Sequence, residues 1–358
     1  MMQDKNGSDS AHRVPGTWYL APFSHLKSYK AVVLYLLFLA GWLCWMVVGG
    51  MPAESTGSLL IVLNKSDHTA MLIRPDTKEV LAILPTGRGP HEVAVSPDGR
   101  WAYVADYGTR DAPGHTLTVL DLIGRKVHRT IDLSPFRRPH GLAVLPDGRV
   151  AVTCEENQAL VVVEPKAGRV DFSVSTDQRV SHMVVVTPDG SRAFVANIGD
   201  GSVTVIDLKK RARLVTVPVD AGTEGIDRSP DGRFVYVANR VADTIAAIDA
   251  ESFRVLRKAP TCKFPIRIRA LPDGRSLLVS CAQANQVALH DATTLELLRT
   301  LDVGSVPIGS VVEPSGRRAY VAFSGDDRVG VIDLSTWQVV DTISTGDEPD
   351  GMALTGRP

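Results

Sequence analysis

From Ser58 onward the chain alternates short apolar runs with turns built from Pro, Asp and Gly. One unit recurs: an apolar run, a Pro-Asp-Gly turn, then a second apolar run such as Ala193–Asn197. It reads PHEVAVSPDGR at 90–100, PHGLAVLPDGR at 139–149, SHMVVVTPDGS at 181–191 and TEGIDRSPDGR at 223–233. PIRIRALPDGR at 265–275 and PIGSVVEPSGR at 307–317 follow, and a truncated PDGMAL at 349–354 ends the series. The turn prolines are Pro97, Pro146, Pro188, Pro230, Pro272 and Pro314, spaced by 49 and then four times by 42 residues. A fixed period of this size marks a propeller or solenoid. Runs rich in Val, Ile and Ala between Gly, Asp and Pro make the repeat all-β.

Each repeat has room for four strands. After Pro188 they read as Met183–Thr187, Ala193–Asn197, Ser202–Asp207 and Leu214–Val219. The second strand occurs seven times, as Leu60–Asn64, Ala102–Asp106, Ala151–Glu155, Ala193–Asn197, Val235–Asn239, Leu277–Cys281 and Ala319–Phe323. The first of these lacks a preceding strand, and Asp350–Leu354 lacks a following one. Joined, they complete one blade and leave no open sheet edge. The expected fold is an all-β, seven-bladed β-propeller closed by pairing of its N- and C-terminal strands. The extra residues of the first interval read as a loop insertion at Gly108–Gly114.

Before the repeats lies a second pattern. Residues 1–30 are polar and end in Lys27 and Lys30; Ala31 to Gly50 then carries no charge. Such a run is long enough for one transmembrane helix, with Trp42 and Trp45 towards one interface. Its length and long polar head favour an uncleaved signal anchor over a cleaved signal peptide, although Gly49, Gly50 and Ala53 leave cleavage open. Both readings put residues 1–30 on the cytoplasmic side, 51–57 as a linker, and the propeller (58–358) in the periplasm or extracellular space on a single-pass anchor.

Composition changes this little. The chain has 358 residues, 39 basic against 40 acidic, and 44% apolar. No basic patch points to nucleic acid. Four cysteines at irregular spacing form neither a disulfide framework nor a zinc ribbon. Cys262 and Cys281 fall in one blade; a bridge is permitted outside the cytoplasm, but Cys262 is not opposite Cys281 in the ladder, which weighs against it.

The PDGR turns followed by YVAD, FVAN and VYVAN, with TVIDL or GVIDL closing the third strand, resemble the YVTN (YncE-like) family of β-propellers from Ser58 to Leu354. The resemblance implies the fold. It leaves function open, because such propellers include surface-layer, cofactor-binding, lactonase-like and lyase-like proteins.

Candidate chemistry lies where first strands begin and second strands end, at one mouth of the channel. Counting about the turn sets His91 opposite Asp106, His140 opposite Glu155, His182 opposite Asn197 and Glu224 opposite Asn239. Ile266 falls opposite Cys281, Ile308 opposite Phe323 and Asp350 opposite Asn64. Asp350, His91, His140, His182 and Glu224 would then form a polar arc, with an apolar wall over the remaining two blades. Such an arc suits a small polar or anionic ligand, against the plainer reading of a solvated rim. His91, His140 and His182 are the expected ligands if a divalent metal such as zinc binds, provided the blades taper inward. Without a metal, His140 or His182 would be the general acid or base, oriented by Glu155. Asp227 and Arg269 share one repeat position in neighbouring blades and read as a salt bridge. Arg267 or Arg269 would otherwise hold an anionic group.

The leading expectation is a binding or scaffold module, with a cell-envelope protein as a further partner. The alternative is a metal- or His-dependent hydrolase (lactonase-like) or lyase. A purely structural adhesion propeller is disfavoured by the histidines, since aromatic anchors would serve it better.

Overall fold

In a computed structural model, residues 57–355 are described; the apolar run at 31–50 lies outside them. Among the described residues no helix is long and apolar enough to cross a membrane. The described residues form twenty-eight strands, β1 to β28 in chain order, in seven four-stranded antiparallel sheets. The first strands are β4 (Pro90–Val95), β8 (Pro139–Val144), β12 (Ser181–Val186), β16 (Thr223–Arg228), β20 (Pro265–Ala270), β24 (Pro307–Val312) and β28 (Pro349–Leu354). Each opens a blade, numbered 1 to 7 in that order. Blade 7 is completed by β1 (Leu60–Asn64), which pairs with β28 through Leu60↔Leu354 and Asn64↔Pro349.

The turns follow from their residues. Asp231 Oδ1 accepts from Ser229 Oγ at 2.5 Å and from Arg233 N at 3.0 Å. Gly232 takes φ +74°, a left-handed conformation that glycine adopts without a Cβ clash. This side-chain clamp is why Ser-Pro-Asp-Gly recurs. The middle strands carry apolar residues on both faces because each sheet is packed between two others. Outer strands such as β27 (Gln338–Ser344) are largely exposed.

The first strands contact one another round the axis, β4 to β8 and so on to β28 and β4. The approach is close. A Cβ on Gly351 would lie 2.2 Å from the His91 carbonyl oxygen, and one on Gly141 would lie 2.5 Å from that of His182. Glycine at this position lets the blades taper inward, which brings mouth side chains from separate blades together.

Three sequence expectations change. The insertion is only partly a loop: β5 (Trp101–Gly108) and β6 (Pro113–Asp121) run on into its two ends, pairing Gly108 with Pro113 and leaving residues 109–112 as the loop. The cysteines are joined: Cys262 and Cys281 form a disulfide with Cα atoms 5.8 Å apart. The ladder pairs Cys281 with Pro265, and the loop before Pro265 brings Cys262 back over it. Third, Asp227 and Arg269 form no ion pair. Asp227 accepts from the Arg228 and Ala270 amides at 2.9 and 3.0 Å, and Arg269 Nε donates to Ser310 O at 2.8 Å.

Candidate functional site

The ladder register differs by one residue from the count made about the turns. Asp106 pairs with Pro90, Asn197 with Ser181, Asn239 with Thr223 and Asn64 with Pro349. A bulge in each first strand turns the next residue inward instead. The ring expected from sequence therefore splits into two sets with different surroundings.

One set pins the blades internally. Asp106 accepts from Thr116 Oγ1 at 2.7 Å and from the Gly87 amide at 3.0 Å. Burial lifts its carboxyl to about 6, against those hydrogen bonds. Asn197 binds Ser202 and Thr204 at 3.1 and 3.0 Å, and Asn239 binds Thr223 and Thr244 at 2.7 and 3.1 Å. In blade 6 the Phe323 ring takes this place and lies against Gly330, where any Cβ would clash with it. These side chains are engaged within their own blades, and the structure does not bring Asp106, Asn197 or Asn239 to the histidines.

The other set meets at the mouth. The His140 and His182 rings are 3.6 Å apart, centroid to centroid, and those of His91 and His140 are 5.0 Å apart. Nδ1 of His91 donates to Gly89 O at 2.8 Å, which leaves Nε2 without that duty. His182 Nδ1 donates to Glu155 Oε1 at 2.5 Å, and its Nε2 lies 3.2 Å from Glu224 Oε1. Glu155 also accepts from the Tyr107 hydroxyl at 2.6 Å. Glu224 is held by Arg240 at 2.7 Å.

Glu155 arrives here by an unforeseen route. The blade 2 turn closes from Leu145 N to Arg149 O, whereas that of blade 1 spans Ser96 N to Trp101 O. It is one residue shorter, so Cys154 pairs with Pro139 and Glu155 falls one step beyond. That step is held by Tyr107 in blade 1 and Arg240 in blade 4, and all three reach the cluster. Neither Tyr107 nor Arg240 was foreseen from sequence.

Below the histidines Arg267 spans the channel. It pairs with Glu92, and lies 3.9 Å from Glu224 and 3.8 Å from Asp350. Arg267 is 4% exposed and Glu92 5%. An anion for Arg267 is thus already present within the protein. Arg269 points elsewhere, to a separate cavity at the other end of the channel. Glu92 was missed from sequence, but a signal existed. The residue five before each turn proline reads Glu92, Gly141, Met183, Gly225, Arg267, Gly309 and Gly351. One acid and one base among four glycines and a methionine is a complementary pair.

Protonation follows from these partners. Burial disfavours charge on His182, but hydrogen bonds to Glu155 and Glu224 more than offset it and raise its pKa to about 9. Burial would likewise raise the Glu155 and Glu224 carboxyls, yet contact with His182 holds both below the usual value. His140 is pushed well down by burial and by the charge of His182, and His91 is lowered mainly by burial. An imidazolium at His182 thus sits between the Glu155 and Glu224 carboxylates, beside His91 and His140, whose charged forms are disfavoured, and the buried Nδ1 of His140 has no hydrogen-bond partner.

Ligand atoms of His140, Glu155 and His182 all lie within 4.8 Å of one another. This donor set differs from the three histidines expected, with Glu155 in place of His91. Two imidazole nitrogens and a carboxylate oxygen fit a divalent ion such as zinc with an open fourth position. Binding would require the His182 imidazolium to lose a proton.

Comparison with known proteins places the fold. Residues 136–163 match the family model of the NHL repeat, and residues 212–314 match that of "Lactonase, 7-bladed beta-propeller". The lactonase match includes Glu224, Arg240 and Arg267 but none of the three clustered histidines. No curated protein sequence matches the chain. Among solved structures, a putative 6-phosphogluconolactonase from Bacteroides fragilis is similar at 17% identity and TM-score 0.71, over 85% of this chain and 100% of that one. A Lactobacillus plantarum protein aligns at 18% identity and TM-score 0.72, over 84% and 100% of the two chains. Kuenenia stuttgartiensis hydrazine synthase aligns at 21% identity and TM-score 0.63, over 74% and 88%. Likeness at these identities shows the shared propeller fold.

Proposed function

We propose that this chain is an extracytoplasmic propeller on a single-pass membrane anchor that binds a small polar or anionic ligand at its histidine-lined mouth. The observation that carries this is convergence: His91, His140, His182, Glu155 and Glu224, from four blades, meet in one cluster. A fold held only by local packing would not need histidines on three successive blades. The exposed Arg88, Arg110 and Arg137 stand on segments adjoining the same mouth and favour approach of an anion. The Cys262–Cys281 bridge agrees with an oxidising compartment outside the cytoplasm. Membership of the YVTN (YncE-like) family belongs to the same reading. So does a divalent metal, for which His140, Glu155 and His182 are the assigned ligands and His91 a neighbour.

A second reading, a hydrolase of the lactonase kind, is favoured by the match over residues 212–314. In it His140, neutral and stacked against His182, is the general base, and His182 stabilises developing negative charge.

Metal analysis of the purified full chain beside a His91→Ala/His140→Ala/His182→Ala variant separates the forms of this proposal. Stoichiometric metal, lost in a folded triple variant, supports the metal site. Metal-free protein that opens a simple aldonolactone, and loses that activity in the triple variant, supports the hydrolase. Metal-free and inert protein leaves the binding module, which ligand detection then tests directly.

A further inference from the structure

The opposite end of the channel holds charges that the histidine site does not use. Asp227 on β16 and Arg269 on β20 lie three residues before their turn prolines. Five blades have Ala94, Ala143, Val185, Val311 and Ala353 at that position. The strands carry these two residues roughly 7–10 Å beyond Glu224 and Arg267, at about 3.3 Å per residue. There Asp227 and Arg269 line a cavity of 260 Å³, with Ala270, Pro272, Val311, Val312 and Leu354 forming the rest of its wall.

The two charges are neighbours and yet are not paired. Both Asp227 oxygens are fixed by backbone amides, of Arg228 and Ala270, so the carboxylate is held in place with one acceptor position left on each oxygen. Arg269 is anchored through Nε to Ser310 O at 2.8 Å, and among the described residues neither of its terminal nitrogens has a hydrogen-bond partner. A fixed anion, a fixed cation and an apolar wall surround one small volume. Burial raises the Asp227 carboxyl while the charge of Arg269 lowers it, so a second cation beside Asp227 would be favoured.

We propose that this second mouth binds a free α-amino acid with an apolar side chain. Its carboxylate would take the open guanidinium face of Arg269 and its ammonium the free positions on Asp227. The side chain would lie against Val311, Val312 and Leu354. A zwitterion satisfies both charges at once, whereas a simple anion would meet Asp227 and a simple amine would meet Arg269.

Titration calorimetry of L-leucine into the full chain tests this. Asp227→Asn and Arg269→Gln are each expected to weaken binding by about tenfold or more, with near-UV circular dichroism unchanged. Isopentylamine and 4-methylpentanoate, each lacking one charge, should bind about tenfold or more weaker than leucine. If Arg269→Gln fails to fold, Arg269→Lys keeps the charge without the fork and should weaken binding severalfold. No heat up to about 10 mM leucine, wild-type affinity in either folded variant, or equal affinity for a single-charge analogue would overturn the proposal.

Discussion

His182 and Glu155 join two blades through one short hydrogen bond, Nδ1 to Oε1 at 2.5 Å, while the far side of the same ring faces Glu224 of a third blade at 3.2 Å. An imidazolium between two carboxylates makes stability depend on pH. The pKa of His182 is raised from 6.5 to about 9. Its contribution is therefore complete below about pH 6.5 and is lost as pH rises through about 9; the shift corresponds to on the order of 3 kcal/mol. His91 and His140 act oppositely. They stay neutral in the fold, so an unfolded chain that takes up protons below about pH 6.5 is favoured on the acid side. Glu155, held below its ordinary 4.5, adds to the acid loss at still lower pH. Denaturation midpoints from about pH 5 to about pH 10 should pass through a maximum near neutrality. In His182→Asn the alkaline decline should flatten; an unchanged decline would show that His182 is not the group responsible.

Arg267 and Glu92 meet across the ring, 175 residues apart in sequence. Removing one partner leaves the other charge buried. Arg267→Met should cost about 3–5 kcal/mol in a urea titration. The double variant with Glu92→Met should recover part of that loss, because an uncompensated carboxylate is then gone. Additive losses would mean that the two do not interact.

Gly351 sits where the first strand of blade 7 crosses behind His91, with its missing Cβ 2.2 Å from the His91 carbonyl oxygen. Gly351→Ala must push β28 and β4 apart. A loss of about 1–3 kcal/mol is expected, together with a shift in the His91 ring resonances. Neutral stability would contradict the close approach.

Zinc affinity is the fourth expectation. Ligation needs the neutral form of His182, so apparent affinity for added Zn²⁺ should rise about tenfold per pH unit below about pH 9 and level off above it. Calorimetry at several pH values gives the slope. A flat profile would exclude His182 as a ligand.

These residues show what the sequence could and could not carry. The blades were legible because Pro97 to Pro314 recur with a period that only a repeated sheet explains. His91, His140 and His182 were legible as a group because one strand position carried them on three successive repeats. Glu155 was placed wrongly in the ladder because one residue missing from the turn at Pro146–Gly148 displaces every later residue of that hairpin. Asp106, Asn197 and Asn239 were drawn into the ring because a bulge does not show in a residue count. Glu92 and Arg267 are partners only through the curvature of the whole ring. The Cys262–Cys281 bridge depends on a loop path, which strand periodicity does not encode.

The central claim is that the histidine mouth holds a ligand. Native mass spectrometry of the full chain, purified gently and then denatured to release what it carries, measures this directly. A bound species released from the wild type and absent from the folded His91→Ala/His140→Ala/His182→Ala variant is the predicted result. Wild-type protein that carries nothing, and takes up neither Zn²⁺ nor small carboxylates and phosphate when they are added, would contradict it.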